Sequence, residues 1–164
     1  MKFLEEQLRL HRCCFTGHRP EKLTRSEEYI KSELRKEILS AIDNGYTTFV
    51  SGMARGTDIW AAEIIIDLRN SGMPIKLICA SPFEGFEHSW EDTWKLRYKD
   101  VLAKADLVRY ICKHYSRSCF QIRNQWMVNH ATRVIAVYNG SVGGTRNTIR
   151  YANAENIDVV TIQA

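Results

Sequence analysis

Apolar residues follow two different spacings along this chain. Short apolar runs that are rich in β-branched residues and cysteine predict six strands, since such runs carry no helical period. Most of these runs are apolar on both faces, which is typical of a sheet covered by helices on both sides. The predicted strands are Arg12–Thr16, Thr47–Ser51, Ile75–Ala80, Leu107–Cys112, Arg133–Tyr138 and Asp158–Ile162.

Longer runs between the strands predict five helices. In the first of them, Ile30, Leu34, Ile38 and Ile42 recur at steps of four and therefore share one face. The order of strands and helices predicts parallel strands joined by right-handed crossovers, and hence a doubly wound α/β sheet of five or six strands in a single domain over residues 1–164. The predicted helices are Ser26–Asn44, Asp58–Asn70, Glu91–Ala105, Ser118–Ala131 and Thr145–Asn153.

The composition is that of a globular protein, because 45% of the 164 residues are hydrophobic and 26% are charged. No apolar run approaches the roughly 18 residues that a membrane span needs. The first residues include Glu5 and Glu6 and lack the apolar stretch of a signal peptide. We therefore expect a cytoplasmic protein with no membrane partner.

Cysteine usage gives little sign of a metal site. The five cysteines include no C-x-x-C pair, which agrees with a reducing compartment. Cys112, His114 and Cys119 could supply three ligands, but a fourth partner at the spacing of zinc sites is lacking. We predict no metal and no required cofactor.

Positive charge is concentrated in the C-terminal third. Residues 107–164 contain seven Lys or Arg and two Asp or Glu, whereas residues 1–106 contain 16 and 17. Six of the seven are arginine, the side chain best suited to bidentate contact with phosphate. A solvated basic face is the simpler interpretation, and an anion site is the functional one. The net charge of +4 is too small to indicate non-specific DNA binding by itself.

Three glycine-containing loops follow predicted strands, at the edge of a doubly wound sheet where ligands bind. They are Thr16–Pro20, Ser51–Asp58 and Asn139–Thr145. Glycine lets a backbone N–H approach an anion closely, and a helix that starts after such a loop directs its free N–H groups to the same place. Tight turns also need glycine, but three such loops together, with His18, Arg19 and Arg55 among them, favour a ligand site.

Other residues extend this predicted site. Arg123 and Asn124 lie in the second turn of a helix that starts at the same edge, and Trp90 ends a long connection, Ser81–Trp90, that could cover the edge and stack on a base. Asp58 is expected to cap its helix. The sequence contains no G-x-G-x-x-G, P-loop or G-x-S-x-G motif, so dinucleotide dehydrogenases, P-loop NTPases and α/β-hydrolases are not predicted.

These motifs resemble the SLOG superfamily, and specifically its YpsA-like branch. The resemblance spans residues 12–162 and rests most on T-G-H-R-P after the first strand and G-G-T after the fifth. It implies a Rossmann-like fold that binds a nucleotide or a nucleotide-derived ligand. The further matching segments are Ser51–Asp58, Arg123-Asn124 with Met127-Val128, and Ile135–Gly140.

The chain departs from relatives in this superfamily at informative positions. The LOG phosphoribohydrolases carry P-G-G-x-G-T-x-x-E with a catalytic glutamate, whereas here Gly143-Gly144-Thr145 is followed by Arg146-Asn147-Thr148. Asn129 and Asn139 stand where the branch often carries aspartate. The missing glutamate disfavours hydrolysis.

Three functions remain open. The first is binding or sensing of a nucleotide derivative without any required reaction. The second is a LOG-like nucleotide N-glycosidase, with His18, Asp58 and Glu87 as candidate acid–base groups, and the third is DprA-like binding of single-stranded DNA. A homodimer is also expected. The predicted ligand-binding residues are Thr16, Gly17, His18, Arg19, Ser51, Gly52, Arg55, Gly56, Asp58, Trp90, Arg123, Asn124, Asn139, Gly140, Gly143, Gly144 and Thr145.

Overall fold

Six parallel strands form one sheet in the order β4-β3-β2-β1-β5-β6. The structure is a computed structural model that describes residues 2–164. The predicted doubly wound α/β fold is confirmed. The strands are β1 (Arg12–Gly17), β2 (Thr48–Ser51), β3 (Lys76–Ser81), β4 (Leu107–Tyr110), β5 (Arg133–Tyr138) and β6 (Asp158–Gln163).

Helices connect the strands on both faces of the sheet. The five predicted helices are present, with boundaries that differ by at most two residues from the expected ones. A further helix, α1, precedes β1 and was not predicted, because it buries none of its side chains. The helices are α1 (Lys2–Arg9), α2 (Glu27–Asp43), α3 (Thr57–Asn70), α4 (Asp92–Lys104), α5 (Cys119–Asn129) and α6 (Gly144–Ala154), with a short 3₁₀ turn at Pro20–Lys22.

The core is divided into two layers by the sheet. Alternate residues of β1 show the division, because Cys13 and Phe15 join the layer with α2, α3 and α4, whereas Cys14 joins the layer with α5 and α6. Both faces of the central strands are therefore buried, which explains their uninterrupted apolar sequences. None of the helices within residues 2–164 has the length and apolar character needed to cross a membrane.

The strand order creates a switch point beside β1. The chain adds β2, β3 and β4 on one side of β1 and then returns to add β5 and β6 on the other. Strands β1 and β5 pair as far as Gly17 and Val137, beyond which the loops after the two strands separate. A crevice at the carboxyl ends of the strands is expected at such a reversal of order.

Candidate functional site

A cleft of about 300 Å³ lies at the switch point between β1 and β5. It brings together the three loops around positions 17, 58 and 144 with one side of α5. Nine of the predicted ligand-binding residues line it, and Lys22 and Phe120 are among the lining residues that the sequence did not indicate. The nine are Thr16, Gly17, His18, Arg19, Asp58, Arg123, Asn124, Gly144 and Thr145.

The loop after β1 is held tightly against the start of α3. A β-carbon on Gly17 would lie 2.2 Å from Thr57 Oγ1 and 2.5 Å from Thr57 Cβ, so only glycine allows α3 to approach β1 this closely. At this position the glycine serves packing as well as the shape of the cleft. The following residue, His18, is buried with its ring 5.5 Å from that of Tyr138. Burial and then the charge of Lys22 lower the pKa of His18, which leaves its ring neutral at neutral pH.

Asp58 is a buried carboxylate on the wall of the cleft. Its Oδ2 accepts a hydrogen bond from the Ala54 N–H at 3.2 Å, and its Oδ1 has no partner within the described part of the chain. Burial raises its pKa to about 6, although the charge of Arg123 and the Ala54 N–H act in the opposite direction. The expectation that Asp58 caps α3 is wrong, because Gly56 occupies the N-cap and Asp58 instead bonds back into the preceding loop.

Arg123 is fixed at the floor of the cleft by α5. It is buried, its Nη1 donates to the Gly52 carbonyl, and its Nε donates to Asn124 Oδ1 at 2.8 Å. A β-carbon on Gly52 would lie 2.9 Å from Asp58 Oδ2 and 3.0 Å from Arg123 Nη1, so glycine makes room for this pair of charged groups. The guanidinium group is therefore held in place before any ligand arrives.

Helix α6 begins at the cleft without a side-chain cap. Its N-cap is Gly143, and within residues 2–164 no side chain caps the first N–H groups. Those groups cannot have partners within the helix itself, and together they carry a partial positive charge. Lys22 lies alongside, since its Nζ is 3.4 Å from the Val142 carbonyl. The start of α6 thus offers backbone donors next to an ammonium group that has no ion pair within residues 2–164.

Asn139 joins the loops after β1 and β5. Its Nδ2 donates to the Lys22 carbonyl at 3.0 Å, and its Oδ1 accepts from the Ser141 N–H at 3.0 Å. It does not line the cleft. Its effect is to hold Lys22 and the start of α6 together, because an amide can both donate and accept.

Comparison with known proteins gives the family. A family model described as the YspA SLOG family (YpsA) matches residues 13–163. The chain belongs to the YpsA SLOG family. The sequence is 32% identical over 137 residues to the SPbeta prophage-derived protein YoqJ of Bacillus subtilis, covering 73% of this chain and 80% of that protein. It is 29% identical over 119 residues to a UPF0398 protein of Halalkalibacterium halodurans, covering 71% of this chain but only 63% of that protein.

Solved structures show the same fold at lower identity. DNA processing protein A (DprA) from Streptococcus pneumoniae has a TM-score of 0.67 and 19% identity, and the match covers 97% of this chain and 52% of that one. DprA from Helicobacter pylori also has a TM-score of 0.67 and 19% identity, with coverage of 98% and 68%. This YpsA-family chain therefore spans a little more than half of the pneumococcal DprA chain.

By the motif resemblance, the position of the catalytic glutamate of LOG enzymes corresponds to a residue with a hydroxyl group in this family member. The residue three positions after Thr145 is Thr148, which is buried and donates its Oγ1 hydrogen to the Gly144 carbonyl at 2.9 Å. Glu155, the next acid along the chain, lies beyond the last residue of α6. The first turns of α6 therefore bring no carboxylate to the cleft.

Several predicted residues lie outside the cleft. Glu87 lines a different depression with Tyr98 and Tyr110, so the structure does not bring it together with His18 and Asp58. Ser51 is buried and donates to the Asp58 carbonyl at 2.8 Å, which is a structural role. Gly52, Gly56, Asn139, Gly140 and Gly143 shape the surrounding loops without lining the cleft.

Two more predicted residues lie next to the cleft rather than in it. Arg55 forms an ion pair with Glu21, and both Arg55 and Trp90 line a neighbouring cavity.

Asn129 lies at the end of α5, where its Oδ1 accepts a hydrogen bond from the Tyr151 hydroxyl at 2.7 Å. It is therefore remote from the predicted anion site.

Of the seven Lys and Arg residues in the basic C-terminal third, Arg123 alone lines the cleft. Arg133 pairs with Asp158 at 2.9 Å and covers the ring of Tyr46, and Arg109 lines a groove elsewhere on the sheet. The other cleft cations, Arg19 and Lys22, come from the first third. Within residues 2–164, no three His, Cys, Asp or Glu side chains meet in a way that could hold a metal ion.

Proposed function

We propose that this chain binds a nucleotide or a nucleotide-derived ligand in the cleft, with a phosphate group at the start of α6. The observation that carries the proposal is the convergence of Arg19, Lys22 and Arg123 with the uncapped N-terminus of α6 around one cleft. Helix N-termini and arginine side chains are both suited to phosphate oxygens.

The electrostatics of the cleft support an anionic ligand. Three cationic side chains line it, whereas Asp58 is its only carboxylate among the lining residues. The pKa of Asp58, about 6, leaves part of that carboxylate protonated in weakly acidic solution. Arg19 and Lys22 form no ion pair within residues 2–164, so their charges are available to a ligand. Each charge-assisted hydrogen bond would add about 1.5–3 kcal/mol to binding.

The other two functions are less well supported by this geometry. A LOG-like reaction needs a positioned acid–base pair. Glu87 lies elsewhere, and Thr148 occupies the glutamate position. Single-stranded DNA binding is described for DprA of Helicobacter pylori, which shares the fold at 19% identity. A strand of DNA needs an extended basic groove, whereas the free cations here surround a cleft of about 300 Å³.

Calorimetry with the purified chain would test the proposal. The panel would contain AMP, ADP-ribose, NAD and cyclic nucleotides at up to millimolar concentration. We expect at least one to bind, and we expect Lys22→Met to weaken that binding by about 10-fold or more, since one charge-assisted contact is lost. Lys36→Met is the matched control, because Lys36 is an exposed lysine on α2 outside the cleft.

Two results would overturn the proposal: no binding by any member of the panel, or equal losses in the Lys22 and Lys36 variants. Two further measurements separate the alternatives. Release of free base from nucleoside monophosphates would indicate the hydrolase. Oligonucleotide binding that weakens steeply with salt, without binding of mononucleotides, would indicate a DNA-binding domain.

A further inference from the structure

A second cavity, of about 310 Å³, opens beside the cleft and is lined mainly by aromatic side chains. We call it the aromatic chamber and define it by Phe83, Phe86, Trp90, Tyr115 and Phe120. Arg19 and Phe120 line both the chamber and the cleft, so the two spaces adjoin. A ligand that extends past Arg19 would pass from one to the other.

Four of the six ring pairs in the chamber meet edge to face, and the two pairs of Phe120 with Phe83 and Phe86 are tilted. Phe83 contacts Phe86 at 5.6 Å and 68° and Tyr115 at 5.9 Å and 76°, measured between ring centroids and planes. Phe86 contacts Trp90 at 4.9 Å and 72°. In an edge-to-face pair the edge of one ring covers a single face of the other, so the pair leaves its remaining faces uncovered by that contact.

Burial changes from the floor of the chamber to its mouth. Phe86 is buried at the floor, whereas 64% of Tyr115 is exposed to solvent. An exposed tyrosine that contacts both Phe83 and Phe120 forms one wall of an open space and is not part of the core. The chamber is therefore accessible from outside.

The charges around the chamber differ from those of the cleft. Arg55 is the second cation of the lining, and its charge is balanced by Glu21. Arg19 has no ion partner among residues 2–164 and lies at the junction with the cleft. The chamber thus suits a neutral planar group, while the positive charge increases toward the proposed phosphate position.

From these observations we infer that the aromatic chamber holds the base of a nucleoside phosphate whose phosphate lies at the start of α6. The inference rests on the proposed function and narrows it, because a sugar phosphate or an inorganic anion would leave the chamber empty. Stacking between a base and an aromatic side chain strengthens binding by about 5- to 150-fold and tolerates every base.

The test compares four nucleoside 5′-monophosphates with ribose 5-phosphate by calorimetry. All five carry the same phosphate group, and only the nucleotides carry a base. We expect at least one nucleotide to bind 10-fold or more tightly than ribose 5-phosphate. Tyr115→Leu should remove most of this difference without changing the affinity for ribose 5-phosphate. Tyr110→Leu is the control, because Tyr110 is also an exposed tyrosine but lies outside the chamber.

The outcomes distinguish this inference from the proposed function. If ribose 5-phosphate binds as tightly as every nucleotide, the chamber does not hold the base, although the phosphate site stands. If the Tyr115 and Tyr110 variants lose the same amount, the chamber is likewise not the base site. If none of the five compounds binds, this inference fails, and the proposed function fails with it when ADP-ribose, NAD and the cyclic nucleotides do not bind either.

Discussion

The buried carboxyl group of Asp58 makes the free energy of unfolding depend on pH. Its ordinary pKa is 3.8 and its pKa in the folded chain is about 6. Between these values the folded state binds more protons than the unfolded state. The free energy of unfolding therefore falls as the pH rises from about 4 to 6, by an amount on the order of 3 kcal/mol from this residue, and the loss persists at higher pH.

We predict that Asp58→Asn removes this dependence. Relative to the native chain, the variant should gain unfolding free energy between pH 4 and pH 7, because asparagine has no proton to release. Urea unfolding at several pH values would measure the difference between the two proteins, and the titration of His18, present in both, cancels. Parallel curves for the two proteins across this range would contradict the assignment.

Individual residues show where sequence reasoning succeeds. Arg123 was predicted to face the ligand-binding edge of the sheet because it lies in the second turn of α5, a helix that starts at that edge. The structure places it in the cleft. Glu87 was grouped with His18 and Asp58 because all three follow strands, yet the connection after β3 directs Glu87 elsewhere. Lys22 was missed because only the folding back of the 3₁₀ turn brings it to α6.

Helix α2 is the element whose start depends most clearly on one side chain. Ser26 occupies the N-cap, and its hydroxyl oxygen accepts a hydrogen bond from the Tyr29 N–H at 3.1 Å. We predict that Ser26→Ala lowers the free energy of unfolding by about 1 kcal/mol, because one N–H of the first turn loses its partner.

Chemical denaturation of the purified chain would measure this loss. Ser26→Asp should retain stability, since aspartate also caps helices well. Ser32→Ala, at an exposed position inside the same helix, should cause no loss. A loss in Ser32→Ala equal to that in Ser26→Ala would show that the cap is not the cause.

The elements that could be predicted are those that bury a regular apolar pattern. The central strands and helices α2 to α4 do so, and their positions follow from spacing, whereas α6 buries Thr145, Thr148 and Ala152 and has no such pattern. The predicted end of β4 was less accurate, because the strand stops at Tyr110 although the apolar run continues to Cys112. As an edge strand, β4 pairs only with β3, so its length follows from that neighbour and not from its own sequence.

Helix α1 shows the limit of such reasoning. It turns charged residues toward the body of the protein, where Arg9 donates to the Val128 and Ala131 carbonyls and Glu5 pairs with Arg12. Its apolar residues Phe3 and Leu4 remain exposed. A pattern that normally predicts a buried face is thus inverted, and only the contacts of the whole molecule reveal it.

At the scale of the whole molecule, α1 lies next to an open groove of about 410 Å³. Val50, Ile78 and Leu107 line this groove, on the part of the sheet that α5 and α6 leave uncovered. Arg109 in the groove and Glu6 on α1 have no ion partner within residues 2–164. We propose that the homodimer expected from the sequence forms when α1 of each copy lies in the groove of the other, because Glu6 on α1 and Arg109 in the groove carry opposite charges.

We therefore predict a dimer in solution that depends on α1. Leu4→Asp should shift the chain toward monomer in sedimentation or light scattering, whereas Leu96→Asp, at an equally exposed leucine on α4, should not. Glu6→Lys should weaken the dimer, and adding Arg109→Glu should restore it. A monomer at all concentrations, or failure of the double variant to recover, would exclude this surface.

The distribution of positive charge can also be described only for the whole molecule. The basic C-terminal third suggested a cluster of arginines, but folding spreads them over several surfaces and recruits cations from the first third instead. A count along the sequence could not show this, because the sheet order places β1 between β2 and β5. The three loops, by contrast, were predictable, since parallel strands must all end at one edge.

Because β1 lies in the middle of the sheet, both halves of the chain contribute residues to the cleft. If the backbone were cut between β4 and α5, Arg19 and Lys22 would remain on the first fragment, while Arg123 and the start of α6 would go with the second. Neither fragment would possess more than half of the phosphate donors. The proposed phosphate binding would thus require both fragments, and a bound ligand would hold these two parts of the chain together.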